Sequence, residues 1–197
     1  HLRKDQGDDH MTATIGIVYG TDTGNTEDVG ERLEQRFQQA GYDVDKLNVT
    51  EASAPVLASY DLLVMGIPTW DFGGIQQDWE EFEQELLATD LSGSAVALYG
   101  LGDQFGYGDF FVDAMGWLYQ RVLKAKGRVI GFWPTTGYDF SGSLAKIEGK
   151  ELFCGLAIDE DQQFELTDTR LDQWVPQVIA EFCEAKKQLG KINSATG

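Results

Sequence analysis

The sequence predicts an α/β protein with a doubly wound, five-stranded parallel sheet in one domain. Short apolar runs alternate along the chain with amphipathic helical patterns, which is typical of strand–helix–strand units and therefore of parallel strands. Its 197 residues and 42% hydrophobic content suit a single domain with its own core. The runs also have strand length, and they are separated by segments long enough for a helix.

The first half of the chain supplies three strands. An apolar run over residues 15–19 precedes an amphipathic helix over residues 27–40. Residues 42–49 alternate polar and apolar side chains, which indicates a half-buried strand. Residues 62–67 form a continuous apolar run, as expected for a central parallel strand, and we expect Pro68 to end it.

The second half supplies the remaining two strands and three helices. A helix over residues 77–87 places Trp79, Phe82 and Leu86 on one face and acids on the other. A fourth strand follows at 95–99, then a helix over 110–125 that Gly127 ends, and residues 128–132 open a fifth strand. The last helix is predicted over residues 169–189, with Pro176 in its first turns, where proline is tolerated.

The charge of the chain is strongly negative and unevenly distributed. The formal net charge is −18, and residues 47–120 contain no Lys, Arg or His but 12 of the 33 acids. This charge argues against nucleic acid and anionic membranes as partners, and it favours basic protein partners attracted by electrostatic steering. The acidic face that we expect such partners to meet includes Asp78, Glu80, Glu81 and Glu83.

The chain termini and the cysteines suggest a cytoplasmic protein. Residues 1–10 are polar and precede Met11, so we interpret them as a leader or tag remnant, followed by a domain at 12–189 and a flexible tail at 190–197. No apolar run approaches the roughly 20 residues that span a bilayer. Two cysteines make no disulfide framework. We expect no metal site, and no hydrolase triad, since both histidines lie in residues 1–10.

One stretch, residues 20–26, has the composition of a phosphate-binding turn. It joins the first strand to the first helix, so helix N–H groups and the positive end of the helix dipole point into it. The candidate residues are Thr21, Asp22, Thr23, Gly24, Asn25 and Thr26. The turn lacks Lys and Arg and matches neither G-x-x-x-x-G-K-[ST] nor G-x-G-x-x-G, which suits a single terminal monophosphate. The alternative is an ordinary capped helix.

Two further loops, after the third and fourth strands, carry aromatic residues among glycines. The first spans residues 68–74 and contains Trp70; the second spans residues 100–109 and contains Tyr107. An aromatic residue in a loop more often packs against the protein. However, carboxyl ends of parallel strands meet at one sheet edge, so the two loops flank the phosphate turn. This arrangement predicts a planar ring stacked between Trp70 and Tyr107.

These three loops resemble those of flavodoxins. The matching segments are residues 21–26, 66–70, and 100–104 with Gly106 and Tyr107. The resemblance implies strand order 2-1-3-4-5, with flavin mononucleotide (FMN) at the switch point between the first and third strands. Residues 136–154 look like the insertion that splits the fifth strand of long-chain flavodoxins, and residues 155–161 like the resumed strand and an acidic turn. Residues 70–73 and 99–102 look closest to the second flavodoxin of enteric-type bacteria.

The resemblance implies a set of FMN-binding residues and a function. The residues, besides the six of the phosphate turn, are Pro68, Thr69, Trp70, Asp71, Phe72, Gly73, Leu101, Gly102, Asp103, Gln104, Tyr107, Asp109 and Asp161. Backbone groups at 102–104 would contact the pyrimidine edge of the ring, and the carbonyl of the Asp71–Phe72 peptide would accept a flavin proton. Gly74 departs from the family, where many relatives carry an acid.

The implied function is a low-potential one-electron carrier rather than an enzyme. It would pass electrons from a reductase, such as an NADPH–flavodoxin reductase, to acceptor enzymes, and it would be monomeric. The alternative is an FMN-dependent NAD(P)H:quinone oxidoreductase, although Trp70 and Tyr107 leave little room above the ring for nicotinamide. A signalling receiver domain needs an aspartate where residues 67–69 read Ile-Pro-Thr, and intact loops argue against a module that has lost its flavin.

Overall fold

A computed structural model describes residues 14–195, with side chains described as far as residue 189. The predicted leader at 1–10 and residues 196–197 lie outside this range. Among the described residues, no helix is both long and apolar enough to cross a membrane.

The described chain contains nine strands and five α-helices. The strands are β1 (Thr14–Tyr19), β2 (Asp43–Asn48), β3 (Leu62–Trp70), β4 (Gly74–Ile75), β5 (Ala95–Leu101), β6 (Arg128–Ile130), β7 (Trp133–Pro134), β8 (Leu152–Phe153) and β9 (Leu156–Ile158). The helices are α1 (Asn25–Gln39), α2 (Ala54–Ala58), α3 (Gln77–Ala88), α4 (Asp113–Lys124) and α5 (Thr167–Ala195).

The central sheet is parallel and confirms the predicted strand order. Its order is β2-β1-β3-β5, and both β6 and β9 pair with the outer side of β5. The predicted fourth strand is therefore β5, and the predicted fifth strand is divided into β6 and β9. Registers such as Val18 with Met65 and Met65 with Leu98 align the carboxyl ends of the strands at one edge.

Two apolar layers cover the sheet, one on each face. On one face, Val29, Leu33 and Phe37 of α1 pack with Trp174 and Val178 of α5. On the other face, α3 and α4 pack through a second buried cluster that includes Trp79, Phe82, Leu86, Met115 and Leu118. The predicted inner face of α3, which consists of Trp79, Phe82 and Leu86, is confirmed, since all three are buried.

Strand β3 continues to Trp70, so the prediction that Pro68 ends it is wrong. The Gly66 carbonyl accepts the Gly20 N–H on the β1 side of the sheet, and residue 68 faces the same way because strands alternate. Pairing with β1 stops at Gly66. The proline nitrogen therefore faces a position with no partner strand, and no ladder bond is lost there.

The fifth strand is interrupted, as the long-chain insertion predicts, but the break begins earlier than residue 136. Strand β6 ends at Ile130, and Gly131 adopts a φ of +80°. The chain then forms the β7–β8 hairpin and returns as β9. A left-handed glycine at 131 lets the chain leave the sheet sharply.

Helix α4 begins at Asp113, three residues later than the pattern predicts. Phe111 donates its N–H to Gly142 and accepts a bond from the Ser143 hydroxyl, so the insertion occupies backbone groups that a helix would need. Val112, at φ 48°, then turns the chain into the helix. The backbone of α5, in contrast, is helical past its predicted end, as far as Ala195.

Candidate functional site

A cleft lies at the carboxyl edge of the sheet, where the loops after β1, β3, β5 and β9 meet. Its lining residues are Thr23, Asn25, Thr26, Pro68, Thr69, Trp70, Asp71, Leu101, Gly102, Asp103, Tyr107, Glu160 and Asp161. Eleven of the 13 come from the three loops that the sequence singled out, and a twelfth, Asp161, was predicted as well. The structure thus brings the phosphate turn and both aromatic loops to one place.

The phosphate turn is shaped by a left-handed glycine at the start of α1. Gly24 has a φ of +91°, and its N–H is held by the Thr21 hydroxyl at 2.9 Å. Helix α1 then starts at Asn25, so Thr23, Asn25 and Thr26 line the cleft while Thr21 shapes the turn from behind. The turn presents hydroxyl, amide and helix N-terminal donors with no cation, as an anion site built from neutral groups requires.

Asp22, a predicted site residue, lies outside the cleft lining and connects the phosphate turn to α3. Its carboxylate accepts a bond from the amide of Gln76 at 3.4 Å, and the same amide donates to Asp78 at 2.8 Å. Gln76 is buried, and its carbonyl oxygen accepts the Trp79 N–H. A Cβ at Gly20 would collide with Gln76 and lie 2.7 Å from Trp79, so glycine is required where the turn leaves β1.

Trp70 stands at the head of a tight hairpin. It pairs with Gly74 of the antiparallel strand β4, so only residues 71–73 form the turn. Asp71 has a φ of 38° and Gly73 a φ of 83°, two left-handed positions within three residues. The indole remains 39% exposed and lines the cleft. An exposed tryptophan fixed by strand pairing presents a flat surface to a ligand.

Tyr107 lines the same cleft and is 37% exposed. Its ring packs edge to face against the ring of Phe72, with 5.8 Å between the ring centroids, and this contact connects the two aromatic loops directly. A hydrogen bond with Asp71, together with the negative charge of that carboxylate, raises the pKa of the Tyr107 phenol. The phenol therefore stays neutral at physiological pH.

Gln104 does not line the cleft, and its backbone N–H and side-chain amide are bonded within the protein. Its backbone N–H and side-chain amide donate to Asp159 at 2.9 and 2.8 Å, and its side-chain carbonyl accepts the N–H of Asp139. The backbone N–H of Gln104 is therefore bonded within the protein, and the expected backbone contact of residues 102–104 to a bound ring stays a prediction. Asp159 was not singled out by the sequence; it is buried and bonds the loop after β5 to the turn after β9.

Four other predicted residues, Gly24, Phe72, Gly73 and Asp109, also lie outside the cleft lining. Asp109 sits in a 3₁₀ turn over Gly108–Phe110 and is exposed. Phe72 is 76% exposed at the rim, beside Tyr107. Gly73 is the last residue of the hairpin turn, and it lies against Asp113 of α4.

Glu160 also lines the cleft, although no sequence pattern marks it as a site residue. Its side chain is mostly buried, and its Oε1 has no hydrogen-bond partner among the described residues. The nearest cation is Arg32, 3.8 Å away. The neighbouring Asp161 has a raised pKa, first because of burial and then because Asp103 and Asp159 are close. A buried carboxylate oxygen without a donor favours a ligand that brings hydroxyl groups.

The cleft lining carries four acids, Asp71, Asp103, Glu160 and Asp161, and no Lys or Arg. Aromatic rings lie at one end and neutral anion donors at the other. The fold and this cleft together define a doubly wound α/β protein with a candidate nucleotide site at the switch point of its sheet.

The sequence comparisons give the family. The flavodoxin family profile matches residues 17–174, so the chain belongs to the flavodoxin family, whose members are electron-transfer proteins rather than enzymes. The flavodoxin of Nostoc sp. PCC 7120 is 45% identical over 173 residues, covering 87% of this chain and 99% of that protein. Flavodoxin 2 of Escherichia coli K12 is 41% identical over 171 residues, covering 86% and 97%.

A solved structure shows the same fold with its ligand. The flavodoxin of Fusobacterium nucleatum bound to FMN is 32% identical, has a TM-score of 0.79, and matches 86% of this chain and 99% of its own. The predicted family is therefore confirmed. The relatives include both flavodoxin 2 of Escherichia coli, which is of the enteric type that the sequence predicts, and the flavodoxin of Nostoc.

Proposed function

We propose that this protein is a low-potential one-electron carrier that binds FMN non-covalently. One observation carries the proposal: Trp70, Tyr107 and the neutral anion donors of residues 23–26 line one cleft. FMN has a flat ring at one end of a flexible chain and a phosphate at the other. The ring matches the aromatic residues of the cleft, and the phosphate matches its anion donors. FMN, when bound, supplies reversible one-electron redox chemistry.

The residues present fit the parts of FMN. Thr23, Asn25, Thr26 and the N-terminus of α1 would hold the phosphate. The unpartnered Oε1 of Glu160 fits a hydroxyl of the ribityl chain. Trp70 and Tyr107 would stack on the two faces of the ring, which keeps water and a second substrate away from both.

The acids around the cleft would lower the potential at which the ring takes its last electron. A carboxylate about 10 Å from a new negative charge raises its energy by about 0.4–1.7 kcal/mol at effective dielectric constants of 80 to 20. For one electron, this corresponds to about 20–70 mV per carboxylate before screening. The cleft lining supplies four such groups, and among the described residues only Glu160 has a Lys or Arg within ion-pair distance, Arg32 at 3.8 Å.

We propose that the partners are redox proteins with basic faces, including a reductase such as an NADPH–flavodoxin reductase. The rim of the cleft exposes Phe72 and Phe105, which is 88% exposed, and α3 presents the acids Asp78, Glu80, Glu81 and Glu83 beside it. Glu83 lies 3.5 Å from Arg121, so Glu80 and Glu81 carry most of the uncompensated charge. Charged groups around an apolar centre favour fast, transient association.

We also propose a monomer in the cytoplasm. Cys154 is buried and Cys183 is exposed, and both are free thiols, which suits a reducing compartment. Sedimentation of the FMN-loaded protein would measure its oligomeric state.

Reconstitution tests the function directly. The flavin-free protein should quench the fluorescence of added FMN on binding and become yellow. Stepwise reduction should give two resolved one-electron steps, and reduced protein should pass electrons to a one-electron acceptor. A protein that takes up no FMN would contradict the proposal, and steady NAD(P)H oxidation without a reductase would favour a quinone oxidoreductase instead.

A further inference from the structure

Asp113, the first residue of α4, lies directly behind the hairpin turn of residues 71–73. It is 5% exposed, although it is an acid in a chain of net charge −18. A Cβ placed on Gly73 would lie 2.9 Å from Oδ2 of Asp113 and 3.5 Å from the ring of Phe110. The carboxylate therefore fills the space behind Gly73, and only a glycine fits against it.

The other oxygen of Asp113 is held by the long insertion. Oδ1 accepts the backbone N–H of Leu144 at 2.8 Å. Two more bonds, between Phe111 and residues 142 and 143, fasten the insertion to the segment that leads into α4. On the hairpin side, the N–H of Ala114 donates to the hydroxyl of Thr69 at 3.1 Å. A continuous series of contacts thus runs from the insertion through Asp113 to the turn.

The burial of a carboxylate at this position costs free energy, because the group loses its hydration. Among the described side chains, no Lys or Arg forms an ion pair with Asp113. Burial raises its pKa, and the bond from Leu144 only partly opposes that effect. The start of a helix favours a carboxylate, but an exposed acid would satisfy the helix without the loss of hydration.

We propose that Asp113 is a positioning residue for the Asp71–Gly73 turn: its carboxylate, held by the N–H of Leu144, fixes Gly73 and so connects the insertion to the cofactor cleft. The proposal rests on the FMN function proposed above. It gives the insertion a role at the cleft without any contact to the cofactor. It also explains why Gly73 is glycine even though residue 73 lies outside the cleft lining.

The test compares Asp113→Asn with Asp139→Asn in the FMN-loaded protein. Asp139 is an exposed acid of the insertion, so its variant removes one negative charge without touching Gly73. Asp113→Asn should increase amide hydrogen exchange at residues 71–73 by about tenfold and raise the last one-electron potential. We expect the equilibrium constant of the last one-electron reduction to change at least threefold, which corresponds to about 28 mV for one electron. Asp139→Asn should change neither by as much.

Exchange and potential in Asp113→Asn that equal those of Asp139→Asn would overturn the proposal. If Asp113→Asn does not fold, Asp113→Glu takes its place. This variant keeps the charge, but its carboxylate extends one methylene further and cannot keep the same contact, so exchange at 71–73 should still rise. Unchanged exchange in Asp113→Glu would contradict the role of Asp113. Failure of the wild-type protein to bind FMN would instead contradict the proposed function.

Discussion

The two ends of the cleft differ in how charge is arranged around them. Near the phosphate turn, the cations of α1 and β2 are all paired: Arg32 with Asp28 at 2.6 Å, Arg36 with Asp172 at 2.8 Å, and Lys46 with Glu31 at 3.1 Å. At the ring end, the loops of residues 68–74 and 100–109 belong to a stretch of 74 residues without any base, and their acids form no ion pair with a Lys or Arg among the described side chains.

This difference separates two tasks that one cofactor requires. The phosphate is far from the reacting ring and keeps its charge in every redox state, so contacts to it stabilise all states equally and change affinity alone. Groups beside the ring contact the part whose charge changes, so they affect affinity and potential together. The same logic separates uniform from differential binding in catalysis.

Removal of the phosphate donors should give the largest effect. The double variant Thr23→Val and Thr26→Val removes two hydroxyl donors while keeping side-chain shape. Two lost bonds to a charged group cost about 3–6 kcal/mol, which weakens FMN binding about 10²- to 10⁴-fold. The ratio of affinities for oxidised and reduced FMN should stay constant, so the potential should not move. A potential that shifts together with affinity would contradict the division between the two ends.

Charge reversal on α3 should give the next largest effect, on association with partners. Glu80→Lys with Glu81→Lys should slow reduction by a basic reductase about tenfold at low salt, and the loss should shrink as salt increases. The matched control is Glu148→Lys with Glu184→Lys, two exposed acids outside the base-free stretch. Stopped-flow rates over a salt series measure both. Equal slowing in both pairs would assign the effect to net charge rather than to a docking face.

Removal of a ring contact should give a smaller change in affinity but should also move the potential. Tyr107→Ala removes one stacking face, so FMN binding should weaken about 2- to 10-fold. The last one-electron potential should rise by some tens of millivolts, because an electron-rich ring disfavours the added negative charge on the flavin. Phe105→Ala is the control, since Phe105 is exposed beside Tyr107 but does not line the cleft. An unchanged potential in Tyr107→Ala would remove the stacking argument.

The convergence of the three loops was predictable from the sequence because topology enforces it. Carboxyl ends of neighbouring parallel strands share one sheet edge, so Thr23, Trp70 and Tyr107 meet whatever their detailed packing. The inner face of α3 was predictable for a similar reason, since helical period determines which side chains face the sheet.

The features that could not be predicted from the sequence are determined by which backbone and side-chain groups already have hydrogen-bond partners. Pro68 fits inside β3 only because β1 has ended beside it, and α4 starts late because the insertion bonds to Phe111. Gln104 is bonded to Asp159, which lies 55 positions away in the chain. Glu160 differs from other surface acids only by burial. Such details follow from long-range contacts, which local patterns do not contain.

The smallest expected effect concerns Asp161, where the acidic character of the cleft acts on the stability of the flavin-free protein. Its pKa is raised by burial and by the neighbouring acids, so the folded state binds the proton more tightly than the unfolded state does. Ionised Asp161 therefore reduces stability at neutral pH. Asp161→Asn should raise Tm at pH 7, and the gain should fall as pH decreases through the folded pKa and vanish below the ordinary value of 3.8.

Thermal unfolding of flavin-free protein between pH 7 and pH 3.5 measures this difference, with Asp139→Asn as the control for one fewer negative charge. A gain in Tm of Asp161→Asn that grows toward low pH would contradict the predicted sign. It would show that the ionised carboxylate of Asp161 is stabilised, rather than destabilised, in the folded protein. A gain equal to that of the control would assign it to net charge. A gain in Tm that exceeds that of the control at pH 7 and disappears on acidification would support the prediction. It would show that the negative charge of Asp161 in the cleft lowers the stability of the flavin-free protein.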